Sequence, residues 1–267
     1  IRGPFNIQFL VRENRVYIIE LNLRASRSMP YTSKAAGMPL IWIGAKVMLG
    51  KTLRELNCLR RTKMMHVAVK APMFSFMRLR GADPVLSVEM TSTGEVACID
   101  YDFAGALIKA LTASNLRIQK SGTPVLLTVR DQEQAEAVEI GKLLSRMKYP
   151  IYATEGTAKA LEEAGVGVVK VFKKIHEPSD SGENILDYLS GRKIGLVINT
   201  PSTISHRSVD DGYAIRRTAV EFFVPVITRI ETAKALVKAM SQNGPDFPIR
   251  ARPLNEFLAN APFGQYV

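Results

Sequence analysis

Glu20, Asn22 and Arg24 occupy alternate positions along a β-rich run that begins at Val16, so their side chains leave one face of a strand. A second β-rich run, Asn6-Ile7-Gln8-Phe9-Leu10-Val11, precedes it across the polar turn Arg12-Glu13-Asn14-Arg15. Antiparallel pairing of the two lets Gln8 meet the same face from the partner strand. A carboxylate, two amide oxygens and a guanidinium are costly to bury together unless they bind something. The set suits Mg²⁺ held by oxygens and by substrate phosphates, with Arg24 and Arg27 as phosphate clamps. Spacing alone leaves a second reading open, a solvent-facing edge strand carrying a surface ion pair.

The other constellation lies in the second half. Ala153-Thr154-Glu155-Gly156-Thr157-Ala158 follows a strand and opens a helix, where free backbone N–H groups, two hydroxyls and the helix dipole converge on a phosphate-sized site. Lys174 follows the next strand and Asn199 ends the one after it, so both fall at carboxyl ends of strands, where open α/β sheets bind ligands. An ordinary capped helix beside a surface lysine is the competing reading. His176, followed by Glu177 and Pro178, has no Ser or Cys nucleophile with an orienting third group around it. His66 and His206 are assigned hydrogen bonding only. Cys58 and Cys98 have no C-x-x-C partner, which argues for neither a disulfide framework nor a zinc site and fits a reducing cytoplasm.

The elements that position these residues follow from periodicity and turn chemistry. The N-terminal hairpin is followed by a helix that Ser33 can cap, carrying Ala35, Ala36, Leu40, Ile43, Val47 and Met48 and stopping at Gly50. Residues 54–95 show little periodicity and one strand, at His66–Ala71. A helix from Asp102 to Ser114 is expected to link the two halves. Beyond Gly122, strands at Pro124–Val129, Ile151–Ala153, Gly167–Phe172, Ile194–Asn199 and Val224–Thr228 alternate with helices at Gln132–Met147, Thr157–Ala164, Glu183–Leu189, Tyr213–Phe222 and Thr232–Met240. Short apolar strands separated by amphipathic helices describe an α/β, doubly wound, mostly parallel five-stranded domain. The proline-bearing tail after Gly244 is expected on the surface.

The chain has 267 residues, enough for more than one core, and its 46% apolar and 23% charged content excludes disorder, collagen and coiled coil. Lys plus Arg number 36 against 25 Asp plus Glu, a net +11 that favours anionic partners in general. The basic stretch Arg54, Arg60, Arg61, Lys63, Lys70, Arg78, Arg80 reads as a solvated face or subunit contact, and no nucleic acid is expected as a partner. The longest apolar run, Met38–Ala45, falls far short of the roughly 20 residues a bilayer requires, so no membrane is expected. The opening Ile1-Arg2-Gly3-Pro4 has no initiator Met and no signal core, and reads as a chain entered partway through.

On these residues the chain resembles the C-terminal end of the large subunit in the carbamoyl-phosphate synthase family. Gly3-Pro4-Phe5-Asn6-Ile7-Gln8-Phe9 and Ile19-Glu20-Leu21-Asn22-Leu23-Arg24-Ala25-Ser26-Arg27-Ser28 resemble the end of the second, carbamate-phosphorylating ATP-grasp domain. Lys70–Ser75, Asp83-Pro84, Glu89-Met90 and Ser92–Val96 resemble the segment that follows it. Ala153–Thr157, Ile198-Asn199-Thr200-Pro201 and Ile215-Arg216-Arg217-Thr218-Ala219-Val220-Glu221 resemble the methylglyoxal-synthase-like regulatory domain. The resemblance implies an ATP-grasp piece over 1–95, a linker helix over 96–119 and the regulatory domain with its tail over 120–267.

It further implies metal ligands at Gln8, Glu20 and Asn22 for Mg²⁺ or Mn²⁺, and phosphate-binding arginines at Arg24 and Arg27, with ATP as substrate. Effector contacts are implied at Thr154, Thr157, Lys174 and Asn199, for a nucleotide such as UMP or IMP. The implied partners are the rest of the large subunit and a glutaminase small subunit, in pyrimidine and arginine biosynthesis, in the cytoplasm. The isolated chain is expected to be inactive. The alternative is a standalone nucleotide-binding regulatory module without a catalytic role. A methylglyoxal-synthase-type lyase is disfavoured, because Asp180 is the only nearby candidate for its catalytic Asp and lacks that family's flanking glycines.

Overall fold

The computed structural model describes residues 1–59, 64–76, 81–85, 92–175, 182–201, 211–244 and 249–258. Arg60, Arg61, Lys63, Arg78, Arg80, Glu89, Met90, His176, Asp180 and His206 lie outside the described residues. The chain divides into two compact units: Ile1–Ala68 with Ile99–Tyr101 and Arg250–Val267, and Val69–Cys98 with Asp102–Ile249.

In the first unit, β1 (Asn6–Arg12) and β2 (Arg15–Asn22) form an antiparallel hairpin. Its two-residue turn holds Glu13 at φ 51° and Asn14 at φ 59°, the left-handed pair that matches the twist of hairpin strands. The register slips between Gln8 and Phe9, since Gln8 faces Glu20 while Phe9 faces Ile18, and Ile19 is the extra residue of a bulge. Apolar side chains stand in solvent along both strands, among them Phe9 at 54%, Val11 at 67% and Ile18 at 67% exposure.

Two helices follow where the sequence suggested one: α1 (Met29–Ala36) and α2 (Leu40–Met48). Gly37 turns left-handed at φ 59° and ends α1, and Pro39 cannot donate to a continuing ladder. Ser33 therefore sits in the last turn of α1, yet its hydroxyl donates to Met38 O at 2.6 Å and accepts from Leu40 N at 3.1 Å, tying the junction and capping α2. His66 shares a 2.7 Å hydrogen bond with Ala35 O, the structural use expected of it.

The strand predicted at His66 is β3 (Val67–Met73), and it pairs with β4 (Gly94–Asp100), a strand the sequence reading did not assign. In the second unit, α3 (Phe103–Ala113) is capped by Asp102, whose carboxylate accepts from Gly105 N at 2.8 Å. Strands β5 (Val125–Thr128), β6 (Ile151–Thr154), β7 (Lys170–Phe172), β8 (Leu196–Asn199) and β9 (Val226–Ile227) form one five-stranded sheet in the order β7-β6-β5-β8-β9. Every neighbouring pair is parallel. The intervening helices are α4 (Gln134–Arg146), α5 (Glu155–Glu163), α6 (Ile185–Ser190), α7 (Asp211–Glu221) and α8 (Ile230–Asn243).

The continuous apolar runs of β5 and β8 follow from burial on both faces. Val125, Leu127, Leu196 and Ile198 join a core with α3, α4, α5 and α8, whereas Leu126 and Val197 join another with α6 and α7. Helix α3 contributes Ala104, Leu107, Ile108 and Leu111 to the first of these cores, beside Leu236, Val237 and Met240 of α8. The strand order reverses at β5, so a crevice is expected beyond the carboxyl ends of β5 and β8. Among the described residues, no helix is long and apolar enough to cross a membrane.

Candidate functional site

On the hairpin, cross-strand pairing sets Gln8 opposite Glu20 and Asn6 opposite Asn22, so all four side chains share one face. Asn22 Nδ2 donates to Glu20 Oε1 at 2.8 Å, which orients the amide and leaves Asn22 Oδ1 and Glu20 Oε2 as acceptors beside Gln8. Because β2 ends at Asn22, strand alternation does not govern Arg24. Arg24 lies beyond the strand, where its Nη1 donates to Ala25 O at 3.2 Å; it and Arg27 are exposed. Asn6 was missed by the sequence reading, although its position two residues before Gln8 was the signal. The donor set is hard oxygen with a single charge, which fits Mg²⁺ or Mn²⁺ completed by phosphate oxygens and water. Among the described residues, no group of three His, Cys, Asp or Glu competes for such an ion.

In the second unit, a cavity of about 300 Å³ opens at the carboxyl ends of β5, β6, β7 and β8. Thr154, Lys174 and Asn199 all line it. Strand pairing sets Thr128 beside Asn199, and Thr154 Oγ1 donates to Thr128 Oγ1 at 3.2 Å, so three strand ends form the floor. Thr157 does not line the cavity: it is 1% exposed, and its Oγ1 accepts from Val129 N at 3.1 Å, fixing the first turn of α5 against the turn after β5. Lys174 rides on a loop secured where Ile175 N donates to Asp211 Oδ2 at 3.0 Å.

Two arginines that the sequence reading did not assign to the site also line this cavity. Arg130 pairs through Nη2 with the buried Glu133, and its backbone N–H donates to Thr200 Oγ1 at 3.2 Å. Arg216 is 2% exposed; its Nη1 donates to Asn199 Oδ1 at 2.6 Å, and its Nε and Nη2 clasp Asp83 at 2.8 and 2.6 Å. The available signal was an arginine directly beside Ile215 on the inward side of α7, where Ile215 and Ala219 are buried one turn apart. With the N-terminus of α5, Lys173 and Lys174, the walls favour an anion.

A five-stranded parallel sheet with a cation-lined cavity at its switch point, and a hairpin with oxygen donors on one face, define an α/β protein with two candidate sites. Two family models match: "MGS-like domain" over residues 136–228, and "Carbamoyl-phosphate synthase L chain, ATP binding domain" over residues 1–56. The chain is 42% identical over 248 residues to "Carbamoyl phosphate synthase large chain, C-terminal section" of Methanocaldococcus jannaschii, covering 89% of this chain and 39% of that one. It is 40% identical to the "Carbamoyl phosphate synthase large chain" of Methanothrix thermoacetophila, covering 91% of this chain and 22% of the relative. With the large chain of Methanosarcina barkeri it shares 38% identity over 257 residues, covering 96% of this chain and 63% of the relative. The chain is homologous to the C-terminal portion of carbamoyl phosphate synthase large chains, and it spans from 22% to 63% of these relatives' lengths.

Proposed function

We propose that this chain acts as the C-terminal part of a carbamoyl phosphate synthase large subunit, in two capacities. Its hairpin supplies Gln8, Glu20 and Asn22 as metal ligands and Arg24 and Arg27 as phosphate ligands for ATP-dependent phosphorylation of carbamate. Its second unit binds an anionic effector, a nucleotide such as UMP or IMP, through Thr154, Lys174 and Asn199, with Thr157 fixing the first turn of α5 behind them. The observation that carries the reading is the hairpin register: Gln8 faces Glu20, and Asn22 is bonded to Glu20 at 2.8 Å, so the three oxygen donors converge on one face.

One carboxylate holds a divalent ion only with further anionic ligands, and the phosphates of ATP supply them. The remaining part of the large subunit and a glutaminase small subunit complete the machinery. The exposed apolar residues on both strands give the hairpin surface to bury against the rest of an ATP-binding domain, since a lone two-stranded hairpin is marginal in water. Alone, the chain is inactive. Replacing Glu20 by Ala in the reconstituted synthetase tests this: carbamoyl phosphate formation is lost, whereas unchanged activity rejects the catalytic half of the proposal.

A standalone nucleotide-binding regulatory module is the second reading. It is favoured by one observation, that every described residue lining the cavity belongs to the second unit. Unchanged activity of the Glu20→Ala variant, together with nucleotide binding, selects this reading.

A further inference from the structure

A buried asparagine on the floor of a ligand cavity presents either an acceptor or a pair of donors, and which one decides the chemistry the floor accepts. Asn199 is 3% exposed, ends β8 and lines the cavity. The atom 2.6 Å from Arg216 Nη1 has to be its oxygen, because a guanidinium carries five N–H donors and no acceptor. The amide is therefore locked with Oδ1 toward α7, and no described residue takes a hydrogen bond from its Nδ2.

Arg216 cannot turn to the ligand without giving up two bonds to Asp83, and that carboxylate already neutralises its charge. It acts on a ligand through Asn199. Two acidic residues line the cavity: Asp211 already accepts from Ile175 N, and Glu155 opens α5. Donors thus approach the cavity from β8 through Asn199, from the first turn of α5 and from Lys174 beyond β7.

We propose that Arg216, held by Asp83, is a positioning residue that fixes Asn199 as a hydrogen-bond donor, so that the site selects a ligand whose innermost group is an oxygen acceptor and rejects one that presents an amine there. This rests on the reading of the cavity as an anion-binding effector site. It adds to that reading the polarity of the floor and the two residues, Arg216 and Asp83, that set it.

Asn199→Asp is the decisive variant. It keeps an oxygen for Arg216, so the fold is retained, but replaces the donor –NH₂ by a second anionic oxygen. Calorimetric titration of the full chain with UMP and with inorganic phosphate should give at least about a 30-fold loss of affinity in Asn199→Asp, from like charge at the floor, with no fall in melting temperature. Arg216→Lys keeps a cation against Asp83 but loses the fork that reaches Asn199. It should lose affinity several-fold and split the Asn199 side-chain –NH₂ signal in ¹⁵N spectra, which a merely structural arginine would not do. Binding of UMP and phosphate by Asn199→Asp within about threefold of the unmodified chain overturns the proposal while leaving the effector site standing. Failure of the unmodified chain to bind UMP, IMP or phosphate overturns the effector reading and this proposal together.

Discussion

Arg216 and Asp83 stand 133 residues apart in sequence and are joined by two hydrogen bonds, Nε to Oδ1 at 2.8 Å and Nη2 to Oδ2 at 2.6 Å. The guanidinium is 2% exposed and the carboxylate side chain 18%. The same helix donates from Tyr213 Oη to Gly81 O at 3.0 Å and from Arg217 Nη1 to Phe76 O at 3.2 Å. Residues 81–85 carry no helix or strand of their own, so side chains of α7 satisfy backbone oxygens that a regular element would otherwise pair.

Removing one partner of a buried pair strands the other charge, so Asp83→Ala should destabilise the second unit by about 3–5 kcal/mol. The double variant Asp83→Ala with Arg216→Met should recover much of that loss, because the uncompensated cation is gone. Urea unfolding followed by circular dichroism checks it. Equal destabilisation in the single and double variants would show that packing, not charge, holds the segment.

Thr157 and Lys174 should separate affinity from stability. Lys174→Ala removes a cation at the cavity wall and should weaken UMP binding roughly tenfold or more with little change in melting temperature. Thr157→Ala leaves Val129 N without its acceptor inside the protein, which costs about 1–3 kcal/mol and loosens the turn that carries Arg130. Thr157→Ser restores the hydroxyl and should restore both stability and affinity. Calorimetry on the three variants decides, and a stable Thr157→Ala with full affinity would contradict the geometry.

Burial pushes the Cys98 thiol above its ordinary value, with Lys109 pulling weakly the other way, and burial alone raises Cys58. A raised thiol favours the neutral form in the fold. Its contribution to stability is therefore fully present at neutral pH, and is lost as pH climbs past the unfolded value of 9.0 and through the higher folded one. Iodoacetamide at pH 8 should modify Cys98 more slowly in the native chain than in urea. A native rate equal to the unfolded rate would mean that the thiol is not buried as described.

Much of this was readable from residue patterns, and the failures have identifiable causes. The five apolar runs from Val125 to Ile227 are short, β-branched and bounded by turn residues, and the parallel sheet follows from them. Strand ends then bring Thr154 and Asn199 to one cavity without further information. β4 was missed because Gly94 reads as a turn residue and the following Glu95-Val96-Ala97-Cys98 lacks a clean apolar alternation. Its pairing with β3 is tertiary context that outweighs propensity. The bulge at Ile19 was invisible for a related reason: it is a property of the pair of strands, and neither run announces it alone. Asp83 and Arg216 were read only as parts of family strings, because an ion pair across 133 residues leaves no local spacing to detect.

Gly141 tests how far packing outweighs local propensity next to the site. It lies inside α4, where helix propensity alone predicts that Ala would stabilise by about 0.8–1 kcal/mol. A Cβ built at Gly141 would meet Leu161 Cδ2 at 2.7 Å and Val166 Cγ1 at 3.2 Å. Leu161 is 0% exposed and Val166 4%, so neither side chain can swing into open space. Overpacking of this kind costs about 1–3 kcal/mol, which exceeds the propensity gain, and Gly141→Ala should be net destabilising. The strain has one direction of relief, displacement of α5 away from α4, and α5 begins at Glu155 on the cavity wall. The variant should therefore weaken UMP binding several-fold without touching a lining residue. Paired unfolding and calorimetric curves check both parts, and a Gly141→Ala chain more stable than the unmodified one would mean that α5 moves freely.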